Sequence, residues 1–201
     1  MMLHAQGLLF AQALLLTWLF SRLLPRRLLW LVAVLGLVAL VPLPWLGLSL
    51  AQALRAFWGD PSITTLQLVI LGIAARPPVA FARGWRAPAM IAAFGLLFYP
   101  LALGAGDFDP YRLGFQPALL LAALAAPALV LWWRGQTLWL WLLAIDLFAF
   151  AFGLLESTNF WDYLIDPILV IACISLATRN YTANRRQRKL RPVITDPVGQ
   201  K

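Results

Sequence analysis

Seven apolar stretches follow one another along the chain, at 3–20, 28–50, 57–75, 87–103, 117–133, 136–155 and 160–178. A helix that crosses a bilayer needs about 20 predominantly apolar residues, with a working range of about 17–25. Each stretch comes close to that length, and the gaps between them are short, so consecutive helices should be antiparallel neighbours in one bundle. The sequence therefore predicts an all-α fold, a polytopic transmembrane helical bundle of about seven helices over 1–178, followed by a basic tail at 179–201. With 62% hydrophobic residues, 12% charged residues and a mean hydropathy of +0.81, the chain lies far from the roughly 45–50% apolar content of soluble domains.

The distribution of charge gives the orientation, because cytoplasmic loops carry an excess of Lys and Arg. Alternate gaps hold Arg22, Arg26 and Arg27, then Arg76, Arg83 and Arg86, then Arg134. The tail adds Arg179, Arg185, Arg186, Arg188, Lys189, Arg191 and Lys201, which places 14 of the 16 basic residues on one side. The opposite gaps hold Arg55 and Arg112, together with Asp60, Asp107, Asp109, Glu156, Asp162 and Asp166, six of the eight acidic residues. The expected topology has the N-terminus outside and the C-terminus in the cytoplasm of a bacterial cytoplasmic (inner) membrane. The first stretch reads as a retained helix and not as a signal peptide, since no positive charge precedes it and arginines follow it at once.

The net charge of +8 does not point to nucleic acid, because the basic residues sit in gaps between apolar runs and not on the face of a soluble domain. One cysteine, Cys173, and one histidine, His4, exclude an intrachain disulfide, Cys/His zinc clusters and a His-based triad within this chain. The tail beside the membrane should attract anionic lipid headgroups at about 1 kcal/mol per basic residue near the surface. The partners expected are thus the bilayer, those headgroups and other membrane subunits.

Three outer gaps each deliver an Asp-Pro pair near the start of the next helix: Asp60-Pro61, Asp109-Pro110 and Asp166-Pro167. Asp favours the N-cap and Pro the first helical position, so helix starts are one reading. The other is a weak internal repeat of three hairpins, helices two-three, four-five and six-seven, with an extra helix in front. Starting at these prolines, helices three and seven would be short, so either they continue outward past the proline, burying Asp60, Asp162 and Asp166, or they are half-helices whose N-termini point into a cavity, as in transport proteins. In LLESTNFWDYLIDP, helical spacing would put Glu156, Asn159, Asp162 and Asp166 on one stripe beside Tyr163. Such a group suits a cationic substrate, proton exchange or a divalent cation, the one cofactor expected.

Asp60, with Ser62, Thr64, Thr65 and Gln67, forms a second polar group. Asp146, near the middle of the sixth stretch, is a site candidate because an intramembrane carboxylate is costly. Asp107, Asp109 and Arg112 make a secondary group, either an ion pair within the loop or part of an outward pocket. The expectation is a transport or lipid-handling protein, or an accessory subunit of a membrane complex, with an outward-facing acidic pocket. The alternative is a membrane-embedded, metal-dependent transferase acting on a lipid-linked substrate.

Overall fold

The computed structural model describes residues 9, 11–18, 29–41, 47–74 and 78–194; His4 and the first three arginines lie outside them. Among the described residues the chain is helical throughout, with no strand. We number the helices α1 (11–18), α2 (Leu29–Val38), α3 (Leu50–Trp58), α4 (Ile63–Ile73), α5 (Val79–Ala82), α6 (Arg86–Ala102), α7 (Pro117–Trp133), α8 (Thr137–Ala151), α9 (Trp161–Leu164) and α10 (Pro167–Ile194). A 3-10 helix at Pro110–Phe115 precedes α7.

Several boundaries differ from the sequence reading, each for a local reason. The stretch 28–50 is not one helix. It ends at Val38, and a separate α3 begins at Leu50, where Ser49 accepts from the Gln52 amide and the Gln52 side chain accepts from the Ser49 amide. That reciprocal capping box satisfies two backbone donors and fixes a new start. Phe57 and Trp58 belong to this helix and not to the next, and Gly59, at φ 79°, closes it in a conformation that favours glycine. α4 is then capped by Ser62 and not by Asp60.

At the other end of the chain, α9 stops at Ile165, whose backbone is extended, and α10 starts at Pro167. It continues unbroken through Arg179 to Ile194, so the basic segment begins as a continuation of the last helix. Among the described residues, one stretch, Trp161–Gln187, is by length and composition long and apolar enough to cross a membrane; Ile63–Ile73, Arg86–Ala102, Pro117–Trp133 and Thr137–Ala151 are apolar and shorter.

The most extensive packing joins α6 and α10. They run antiparallel, with Trp85 meeting Tyr181 edge-on at one end and Gly95 against Val170 in the middle. A Cβ on Gly95 would lie 2.3 Å from Val170 Cγ2, so the absence of a side chain is what lets the two helices approach. At the Trp85 end, the Asn180 amide donates to the carbonyls of Phe81 and Gly84 and ties α10 to the turn after α5. α4 packs on α8 and α9, and α7 on α8.

These contacts sort the loops by charge. Arg83, Arg86, Arg134 and Arg179 lie at one end of the bundle, and Asp60, Asp107, Asp109, Glu156, Asp162 and Asp166 at the other.

The core is apolar, built around Phe98, Leu120, Phe160 and Tyr163, but polar side chains are buried beside it. Ser62, Thr64, Thr65, Asp146, Asn159 and Asp166 are all buried. Met90, Phe94 and Leu97 on α6, and Trp141, Ile145 and Phe148 on α8 with Phe152 at its C-cap, are exposed and recur at three- and four-residue intervals. Those intervals make each set a continuous apolar stripe facing away from the bundle.

Candidate functional site

The acidic end closes around one cavity of about 400 Å³. Its walls come from Trp58 at the end of α3, the Gly59 and Asp60 turn, Phe98, Tyr99 and Ala102 on α6, Tyr111, and Leu155, Ser157, Asp162 and Ile165–Pro167. Asp60, Asp162 and Asp166 all line it.

Asp166 sits where two helices begin. One carboxylate oxygen accepts the Leu169 amide at 2.7 Å and caps α10; the other accepts the Ser62 amide at 2.7 Å and the Thr65 hydroxyl. A single buried carboxylate therefore answers orphan donors of both α4 and α10, as expected where helix N-termini meet away from water. Proline at 167 has no amide to satisfy, which suits it to the first position of α10.

Asp162 accepts from the Tyr111 hydroxyl at 2.9 and 3.0 Å and from the Ser157 hydroxyl. Burial, and then the Asp162 charge, push the Tyr111 phenol up to about 12, so it stays protonated and keeps donating. Among the described residues no cationic side chain pairs with Asp162 or Asp166. Asp60 differs, because Arg55 binds it through Nε at 2.8 Å and through Nη2 at 3.2 Å, while Nη2 also reaches Glu156 at 2.7 Å. Arg55 thus bridges two carboxylates, Asp60 and Glu156, at the mouth of this end. Tyr99 also lines the cavity, and among the described residues its hydroxyl makes no hydrogen bond.

The single acidic stripe read from 156 to 166 does not form. Residues 152–159 are turns and irregular chain, and helix appears only at Trp161. Glu156 points outward to Arg55 with its side chain 58% exposed. Asn159 and Tyr163 are fully buried and do not line the cavity; they brace the loop instead. Asn159 donates to the Tyr111 carbonyl and accepts the Trp161 amide, while the Tyr163 hydroxyl donates towards the Leu155 carbonyl and accepts the Leu155 amide. The physical reason is local competition: Asn and Asp side chains bond nearby amides and offer the backbone an alternative to the helical ladder.

The three Asp-Pro pairs have separate uses. Asp166 caps α10, Asp109 caps the 3-10 helix by accepting the Tyr111 amide at 2.9 Å, and Asp60 caps no helix and pairs with Arg55. Asp107 and Arg112 are exposed, and among the described residues no ion pair joins Arg112 to Asp107 or Asp109.

Asp146 lies away from the cavity. It accepts from the Thr64 hydroxyl at 2.6 Å and from the Gln67 amide at 2.8 Å, and so fastens α8 to α4. Tyr111 belongs to the loop that the sequence offered as part of an outward pocket, whereas Arg55, Tyr99 and Ser157 were not among the predicted site residues. Of these three, only Arg55 had a legible signal, as one of two basic residues in the acidic gaps.

Among the described residues no group of three or more His, Cys, Asp or Glu side chains is placed to hold a metal ion, so the expected divalent cation has no ligand cluster there. Comparison with protein-family models, with curated proteins and with solved structures finds no match.

Proposed function

We propose that this chain is a multi-pass membrane protein whose acidic end faces outward and receives a positively charged solute or lipid headgroup, as a transport or lipid-handling protein would. The observation that carries the reading is the cavity itself. Asp162 and Asp166 supply carboxylates with no cationic partner among the described residues, and Trp58, Phe98, Tyr99 and Tyr111 supply aromatic walls. Carboxylates combined with aromatic faces suit an organic ammonium group, which gains from both charge and the ring quadrupole.

Membrane insertion is supported by the exposed apolar stripes on α6 and α8, since contiguous exposed apolar surface marks contact with lipid or partners. α4 is 11 residues long, about 16 Å at 1.5 Å per residue against a hydrocarbon core of about 30 Å. Its N-terminus and the Asp166 junction would then lie within the outer leaflet, sheltered by protein as the bilayer requires. The charge sorting supports the direction of insertion. A reporter fused after Lys201 is expected to be cytoplasmic and one inserted between Asp107 and Gly114 external; finding both on one side would reject the topology.

Binding is tested by thermal unfolding of the detergent-solubilised protein. Choline chloride should raise the melting temperature in proportion to RT ln(1 + [L]/Kd), beyond the effect of equal sodium chloride. Asp162→Asn, which leaves Tyr111 an acceptor, should remove most of that rise. Equal shifts with choline and sodium would count against the cation site.

A further inference from the structure

A second and larger cavity, about 810 Å³, lies between α4 and α10 below their junction at Asp166. α1 closes it with Leu15 and Leu16, and Pro78, Phe81 and Ala82 form its floor. Along α10 it is lined from Ile168 to Arg179, eleven residue steps, which is about 16 Å at 1.5 Å per residue. That is the depth of one leaflet of a roughly 30 Å hydrocarbon core.

Chemistry along the groove is asymmetric. Leu68, Val69, Leu169, Ala172 and Leu176 make an apolar channel, and the one charged residue, Arg179, stands at its basic end. The Arg179 guanidinium has no ion pair or hydrogen bond among the described residues. Exposed Arg83 belongs to the turn that Asn180 fastens to α10 at the same end.

We propose that this groove holds one acyl chain of an anionic phospholipid from the inner leaflet, with its phosphate on Arg179. The length matches one leaflet, the lining matches a hydrocarbon chain, and the free guanidinium matches a phosphate, for which arginine offers paired donors. Zwitterionic lipid supplies the same chain without net negative charge, so headgroup selectivity belongs to Arg179. This is distinct from loose attraction between the basic tail and the bilayer surface, which needs no groove.

Native mass spectrometry of the full-length protein in detergent, titrated with phosphatidylglycerol or phosphatidylcholine of identical chains, tests the assignment. The wild type should hold one phosphatidylglycerol with at least fivefold preference over phosphatidylcholine. Arg179→Gln should erase that preference, and Ala172→Trp, which fills the groove and leaves every arginine in place, should remove the bound lipid. Helical circular dichroism and retained choline stabilisation identify folded variants. A folded Ala172→Trp protein that still binds phosphatidylglycerol selectively would overturn the groove, as would selectivity abolished by neutralising Arg185 and Arg186 but indifferent to Arg179→Gln.

Discussion

Replacing Asp166 by alanine should be the most damaging single change at the acidic end. The substitution strands the buried Ser62 and Leu169 amides and the Thr65 hydroxyl together. A buried donor left without its acceptor costs about 1–3 kcal/mol, so a loss of about 3–5 kcal/mol is expected, a large part of the 5–15 kcal/mol typical of a folded domain. Asp166→Asn keeps an oxygen that accepts one or two of those bonds and should recover part of the loss. Denaturant unfolding followed by circular dichroism measures both. A change below 1 kcal/mol for the alanine variant would mean that α4 and α10 do not depend on this carboxylate.

The second large effect is expected at a residue with no side chain. A Cβ on Gly114 would lie 1.7 Å from Asn159 Oδ1 and 2.7 Å from Trp161 Cδ1. Neither neighbour is free to move: Asn159 is held by the Tyr111 carbonyl and the Trp161 amide, the Trp161 indole donates to the Pro110 carbonyl, and the Phe160 amide donates to Gly114 itself. Overpacking of this kind costs about 1–3 kcal/mol, and lost hydrogen bonds add to it. Because Tyr111 is carried on the displaced segment, Gly114→Ala should weaken choline stabilisation more than its fall in stability alone explains. Full stability together with unchanged binding would show that the loop accommodates the methyl group and that its close packing does not shape the cavity.

The placement of these groups was partly legible in the sequence. Lysine and arginine asymmetry put Asp60, Asp162 and Asp166 in gaps on the same side, and the structure gathers all three at one cavity. Periodicity misled between 152 and 166, because regular helical spacing carries no information about side chains that bond their own backbone. Glu156 and Asn159 leave the presumed stripe for that reason, one to a salt bridge and the other to the loop interior. The split of the second stretch was readable in principle, since Pro42 and Pro44 interrupt it and Ser49 followed three residues later by Gln52 is a capping signature; its high hydrophobicity hid it. The partners of Asp146 were not readable, as Thr64 and Gln67 come from a helix about 80 residues away, and single-sequence patterns report no such pairing.

Ser157 lines the cavity beside Asp162, which allows the central claim to be tested in intact cells. With Cys173→Ala removing the only native thiol, Ser157→Cys can be treated with two membrane-impermeant methanethiosulfonates, one bearing a trimethylammonium group and the other a sulfonate. An outward acidic cavity predicts reaction from outside, at least tenfold faster with the cationic reagent, and a ratio that falls when Asp162→Asn is added. Labelling only after the membrane is permeabilised, or at equal rates with both reagents, would contradict the account.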